Sequence, residues 1–151
     1  MSKFRFKLQS VLDVKEKMEN QQKIEYGLAN ARLTEERDIL EQLLIQKAGY
    51  DRKSRELMKG KLNLLEVKSC RKAIDTMKSR IRTQMMAVHR AERQVEEERR
   101  KLNEIMVERK TYEKLREKQF DEYKQELLHE EGKEVDELVS YTYGRKRNED
   151  T

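Results

Sequence analysis

The 151-residue sequence has no proline, no tryptophan, five glycines, one cysteine, two histidines and only 6% aromatic residues. Each shortage excludes something. Without proline, nothing obliges a helix to stop. A single cysteine, Cys70, cannot form an internal disulfide, so a reducing cytoplasm is the expected compartment. No run of about 18 apolar residues occurs, so no membrane span is predicted. The opening MSKFRFKLQ has basic residues but neither an uninterrupted apolar region nor a small-residue cleavage site, which argues against secretion. Apolar residues, at 35%, are too few to fill a broad globular core.

What is abundant is charge, at 43% of the chain, carried by residues that lose little freedom in a helix. Such a composition suits either disorder or a long helix with a thin apolar stripe, and periodicity separates the two. Steps of three and four from Val67 pass through Cys70, Ile74, Met77, Ile81, Gln84, Val88, Ala91, Val95, Glu98, Leu102, Ile105, Arg109 and Tyr112, and eleven of the fourteen positions are apolar. That is a heptad seam. A thinner seam precedes it: Leu12, Lys15, Glu19, Gln22, Tyr26, Ala29, Leu33, Glu36, Leu40, Leu43, Lys47 and Tyr50. About half of these are apolar, and Leu8, Val11 and Met18 lie on a neighbouring phase.

Between the seams lies ELMKGKLNLLE, residues 56–66, where Gly60 can end one helix in the left-handed conformation and Asn63 can cap the next, with Glu66 completing a capping box. Gly49 and Ser54 would also permit an earlier end. The fold class is therefore all-α: two long helices in an antiparallel coiled-coil hairpin, the second longer and overhanging. Helix one is expected over about 6–57, the turn over 58–63, helix two over 64–139, and a disordered tail over 140–151. At about 1.5 Å per residue the helices would measure roughly 75 and 110 Å. Antiparallel partners should have numbers summing to about 122, so that residues beyond about 118 have no partner in helix one.

That overhang coincides with a change of pattern. After Tyr112 the template meets Arg116, Gln119 and Glu126, while the apolar residues become Leu115, Phe120, Tyr123, Leu127 and Leu128, then Val135, Leu138 and Val139. Folding the hairpin brings Phe4 and Phe6 opposite residues 116–118, so Tyr112, Phe120 and Tyr123 share one end with them, and Tyr141 and Tyr143 extend the set. Rings bury much area with few rotatable bonds, which makes this end a docking candidate; ordinary seam packing is the plainer reading.

Charge is polarised along the chain. Residues 68–90 carry Lys68, Arg71, Lys72, Lys78, Arg80, Arg82 and Arg90 against Asp75 alone, whereas residues 120–137 carry eight acids against Lys124 and Lys133. Arg145, Lys146 and Arg147 form a short basic tail. A basic run is an ordinary outer face of a coiled coil, a contact surface near Met77, Met85 and Met86, or a phosphate-binding arm. Nucleic acid is not expected, because no recognition module or zinc-finger spacing accompanies the charge. The acidic stretch is either a solubilising face or a complement to a basic partner.

Catalysis finds no support. His89 and His129 have no HExxH-type neighbours, and Gly60-Lys61 has Arg55 and Leu62 where a phosphate loop needs Gly and Ser or Thr. Cys70 occupies a seam position, as a small apolar filler. No cofactor, metal or catalytic residue is predicted.

The opening FRFKLQSVLDVKEKMENQQ, the run ERKTYEKLREKQFDEYKQE and the element KEVDEL together resemble the flagellar FliJ family over essentially the whole chain. The tail SYTYGRKRNEDT matches no pattern of that family, and Gly132 weakens the last helix by about 1 kcal/mol relative to alanine. The resemblance implies a non-catalytic stalk of the flagellar type III export apparatus, cytoplasmic and peripheral at the inner membrane through its partners only. It implies three kinds of partner: the hexameric flagellar export ATPase, the cytoplasmic domain of the export gate, and export chaperones. Phe4, Phe6, Tyr112, Leu115, Phe120, Tyr123 and Leu127 are the residues expected at the ATPase ring; Met77, Ile81 and Gln84 are those expected at the gate. A generic coiled-coil scaffold or homo-oligomer is the alternative reading.

Overall fold

In the computed structural model, described for residues 3–149 and for side chains over 3–145, the chain forms two helices and a short turn. Helix α1 spans Gln9–Leu57 and helix α2 spans Leu64–Glu149. Both are built from the good helix formers that dominate the composition, and α1 runs uninterrupted through Gly49 and Ser54. Helix α1 starts at Gln9 rather than near residue 6, its first amide donating to the Phe6 carbonyl at 3.1 Å, and Phe4 and Phe6 lie in the lead-in.

The reversal uses Gly60 and Asn63 as expected, but among the described residues Glu66 makes no capping-box bond back to Asn63. Gly60 has φ of +92°, a conformation that a Cβ disfavours, and the Lys59 amide closes the end of α1 on the Glu56 carbonyl at 3.1 Å. Asn63 then caps α2: its Oδ1 accepts the Leu65 N–H at 3.1 Å, and its carbonyl accepts the Val67 N–H at 3.0 Å. Glu66 puts a carboxylate in the first turn, on the positive end of the helix dipole.

By packing, the chain divides into two compact units, Glu19–Glu104 and the combination of Met1–Met18 with Ile105–Thr151. In the Glu19–Glu104 unit the helices pair antiparallel. Cys70 Sγ donates to the Tyr50 carbonyl at 3.4 Å, Gln84 to the Glu36 carbonyl at 2.9 Å, and Gln22 to the Glu98 carbonyl at 3.1 Å. Numbers rise on one helix as they fall on the other, and their sum stays constant, which fixes a single register. The core is the seam itself: Ala29 and Leu33 from α1, and Cys70, Met77, Ile81, Val88 and Ala91 from α2, with Leu40 and Val95 packed at its margin. No large side chain is fully enclosed, as expected of a core one seam wide.

The polar seam positions are matched rather than merely tolerated. Gln22 places its amide on both the carbonyl and the carboxylate of Glu98, and Gln84 does the same to Glu36. The donor lies on α1 in the first layer and on α2 in the second. Ala29 is one heptad from both Gln22 and Glu36, and Ala91 one heptad from both Glu98 and Gln84, so two small buried residues sit between the polar layers. A shift of one heptad would set both carboxylates against alanine in one direction and both amides against alanine in the other, and either way the amide–carboxylate pairs are lost, at a cost of about 1–3 kcal/mol for each polar group left unsatisfied.

In the other unit Leu12 and Phe6 are buried, Lys15 bridges to Glu108 at 2.7 Å, and Arg116 Nε donates to Gln9 Oε1 at 3.0 Å. Helix α2 then continues where α1 has ended. From Leu128 to Arg145 every side chain is exposed, and the helix persists to Glu149, past the end expected near residue 139 and through most of the tail expected to be disordered. The reason is local: no proline intervenes, and at Gly132 and Gly144 nothing stands near the position of a Cβ, so each glycine costs only its propensity. Of the basic tail, the side chains of Lys146 and Arg147 lie outside those described.

Candidate partner-docking surfaces

The rings gather where antiparallel pairing runs out. Phe4 lies edge-on to Phe120 with centroids 5.1 Å apart and 5.6 Å from Tyr123, while Phe120 and Tyr123 stack at 6.4 Å, one helical turn apart. Two cations frame the cluster: Arg116 over the Phe4 ring at 6.0 Å, and Lys124 over Phe120 at 4.7 Å. These geometries match the ring quadrupole, edge to face and cation to face. The lead-in segment thus clamps onto α2 through Phe4.

The seven residues expected at an ATPase contact fall into three groups. Phe4, Phe120 and Tyr123 form the ring cluster, with Phe120 38% exposed. Phe6 is buried, and its carbonyl accepts the first amide of α1. Tyr112, Leu115 and Leu127 are half-buried along the same helix. Past them the apolar stripe continues in the open, through Leu128, Val135, Leu138 and Val139, with Tyr141 and Tyr143 exposed beyond. The acidic residues of the 120–137 stretch are exposed around it.

The three residues expected at the export gate do not form an outward face. Met77 and Ile81 are buried in the seam, and Gln84 is committed to Glu36. The stepping that selected them traces the face turned toward α1. On the outer surface of the same stretch the exposed apolar residues are Met85 and Met86, accompanied by exposed Lys78, Arg80, Arg82 and Arg90. Their departure from seam spacing was the signal for them.

Three charged groups, Lys15, Glu97 and Arg100, are displaced from their ordinary ionisation, Arg100 upward through its hydrogen bond to Glu97. The Lys15 ammonium is held above its usual range by its hydrogen bond to Glu108. Glu97 is held below the carboxylate range by the hydrogen bond from Arg100, which also reaches Glu104 at 2.6 Å. Both are surface ion pairs that steady helices rather than centres of chemistry. Among the described residues no group of three His, Cys, Asp or Glu side chains is placed to hold a metal ion, and no helix is long and apolar enough to cross a membrane.

Two long helices packed against each other, with matched polar layers in their seam, define an all-α coiled-coil hairpin. The family is equally definite: residues 4–148 match the family described as Flagellar FliJ protein, and the chain belongs to it. It is accordingly a flagellar, export-related protein. No curated protein and no solved structure matches it.

Proposed function

We propose that the chain is the non-catalytic stalk of the flagellar type III protein export apparatus, seated by its termini-bearing end in the hexameric export ATPase and linked to the cytoplasmic domain of the export gate. The observation that carries this reading is the cluster of Phe4, Phe120 and Tyr123, continued by the open stripe through Leu127, Leu128, Val135 and Leu138. An apolar stripe on an acidic helix that its own hairpin leaves uncovered is suited to a partner offering apolar pockets and basic charge. A single chain set in a six-fold ring meets its subunits unequally, and unequal contacts bias their conformational states. Catalysis stays with the ATPase; this chain supplies differential binding.

The gate contact runs over the outer surface at Met85 and Met86, with Met77 and Ile81 supporting it from within. Export chaperones are further partners, and the protein works in the cytoplasm at the inner face of the membrane beneath the flagellum. Replacing Phe120, Tyr123 and Leu127 together by alanine is expected to abolish stimulation of the export ATPase while far-ultraviolet circular dichroism stays near wild type. Undiminished stimulation contradicts the docking role. The same stripe would also serve self-association, and sedimentation of the isolated chain distinguishes that case by mass.

A further inference from the structure

The turn of the hairpin carries a surface that the seam does not explain. Met58, Leu62, Leu64 and Leu65 are 62%, 57%, 68% and 81% exposed, within eight consecutive positions. Nothing in the fold requires them to be apolar. Leu62 lies in the turn, and Leu64 and Leu65 open α2, where the capping needs only backbone N–H groups and the Asn63 side chain. Polar residues would serve the reversal as well.

Around them the charge is of one sign. Residues 52–72 contain eight lysines or arginines against Glu56 and Glu66, all ten exposed, and among the described residues none of the eight basic groups is in an ion pair. The apex is therefore aliphatic at its tip and basic at its collar. We propose that it is a membrane-contact site whose occupant is the surface of an anionic lipid bilayer, the leucines and Met58 entering the headgroup boundary and the basic collar meeting lipid phosphates.

Three features favour lipid over an acidic protein. The apolar side chains stand on a tight turn and the first turn of a helix, where they project outward, whereas protein partners favour anchors that fit pockets. Between residues 52 and 72 there is no aromatic residue, and Tyr, Trp and Arg are what most protein hot spots use together. Lysine stems such as those of Lys59 and Lys61 can lie along acyl chains while their ammonium groups stay at the phosphates. The acidic 120–137 stretch would be repelled by the same bilayer, which limits contact to the apex. The proposal stands independently of the ATPase contact, and it replaces attachment through partners only by a direct lipid contact.

The chain has no tryptophan, so Leu65→Trp creates a single reporter at the apex and Val107→Trp one at an exposed site in the other unit. Each full-length variant is mixed with vesicles of pure phosphatidylcholine, or of equal parts phosphatidylcholine and phosphatidylglycerol, with and without brominated acyl chains. Expected is a blue shift and bromine quenching at position 65 with the anionic vesicles alone, and no change at 107. Each basic group near an anionic surface contributes about fivefold to partitioning, so Lys59→Gln with Lys61→Gln should weaken it roughly 25-fold. Leu62→Ser with Leu64→Ser should remove the quenching. Three results overturn the proposal: no shift with anionic vesicles, which leaves the apex to a protein surface; equal shifts at 65 and 107, which marks diffuse adsorption; and binding without bromine quenching, which marks charge attraction alone.

Discussion

The Glu19–Glu104 unit and the unit that joins the first residues to Ile105 and beyond use the same two helices in opposite ways. The first is closed: alanine, leucine and methionine fill one seam, and two of its carboxylates, Glu98 and Glu36, meet amides from the facing helix. The second is open: three rings, two cations and a few surface bonds fasten a short lead-in to a helix that then continues uncovered. A charged coiled coil thus separates holding itself together from offering itself to others. Register is specified where pairing is complete, and apolar area is left over where it is not.

Perturbations at the two places should therefore differ in size. Leu33→Ala, in the centre of the closed seam, is expected to destabilise the hairpin by about 2–3 kcal/mol in urea unfolding, the lower part of the usual range because the seam is bordered by water. Phe4→Ala removes one ring at an open edge and should cost about 1 kcal/mol or less, with a change in the Tyr123 contribution to the near-ultraviolet signal. Equal costs would erase the distinction between the units.

A second test separates stability from specificity. Replacing Gln22 and Glu98 together by leucine converts a polar layer into an apolar one, and the melting temperature should rise, by an amount corresponding to about 1 kcal/mol. The same variant should lose its single register, seen as mixed oligomers in sedimentation. A more stable variant that keeps one mass would show that the layer does not select the register.

The smallest effect is expected from Lys15 and Glu108. The folded Lys15 is held above its ordinary value of 10.5. Its contribution is therefore complete below that value and disappears as pH rises through the higher folded one. Lys15→Met should leave the melting temperature unchanged within error at every pH up to 10, because the pair lies at the surface. A clear drop at neutral pH would mean that this surface pair helps hold the open unit.

The period of three and four carried most of the fold. Val67 to Tyr112 had to face a second helix, and Gly60 with Asn63 offered a place to reverse, so the hairpin was legible; its register was not, and the contacts Tyr50–Cys70, Glu36–Gln84 and Gln22–Glu98 set it two short of the sum of about 122 expected from the turn. Gln84 and Glu98 looked like gaps in the seam because a one-dimensional pattern cannot show what stands opposite; in the fold they are its most specific contacts. Met77 and Ile81, expected at the export gate, are buried for the converse reason, since the spacing that makes them conspicuous is what turns them into the seam. Helix α2 is longer than the sequence suggests because Gly132 and a tail without a family pattern count against it there, although an exposed helix without proline absorbs a single glycine. The bare apex escaped notice, since apolar residues near a turn read as seam until their exposure is known.

Amide hydrogen exchange along the full chain, alone and with the hexameric export ATPase, tests the closed-and-open account most directly. Alone, exchange should be slowest along the seam within 19–104 and fastest over 128–145. Adding the ATPase should slow exchange over 112–139 and in the lead-in at Phe4, leaving the seam unchanged. Protection confined to 77–86, with 112–139 still exchanging freely, would contradict it.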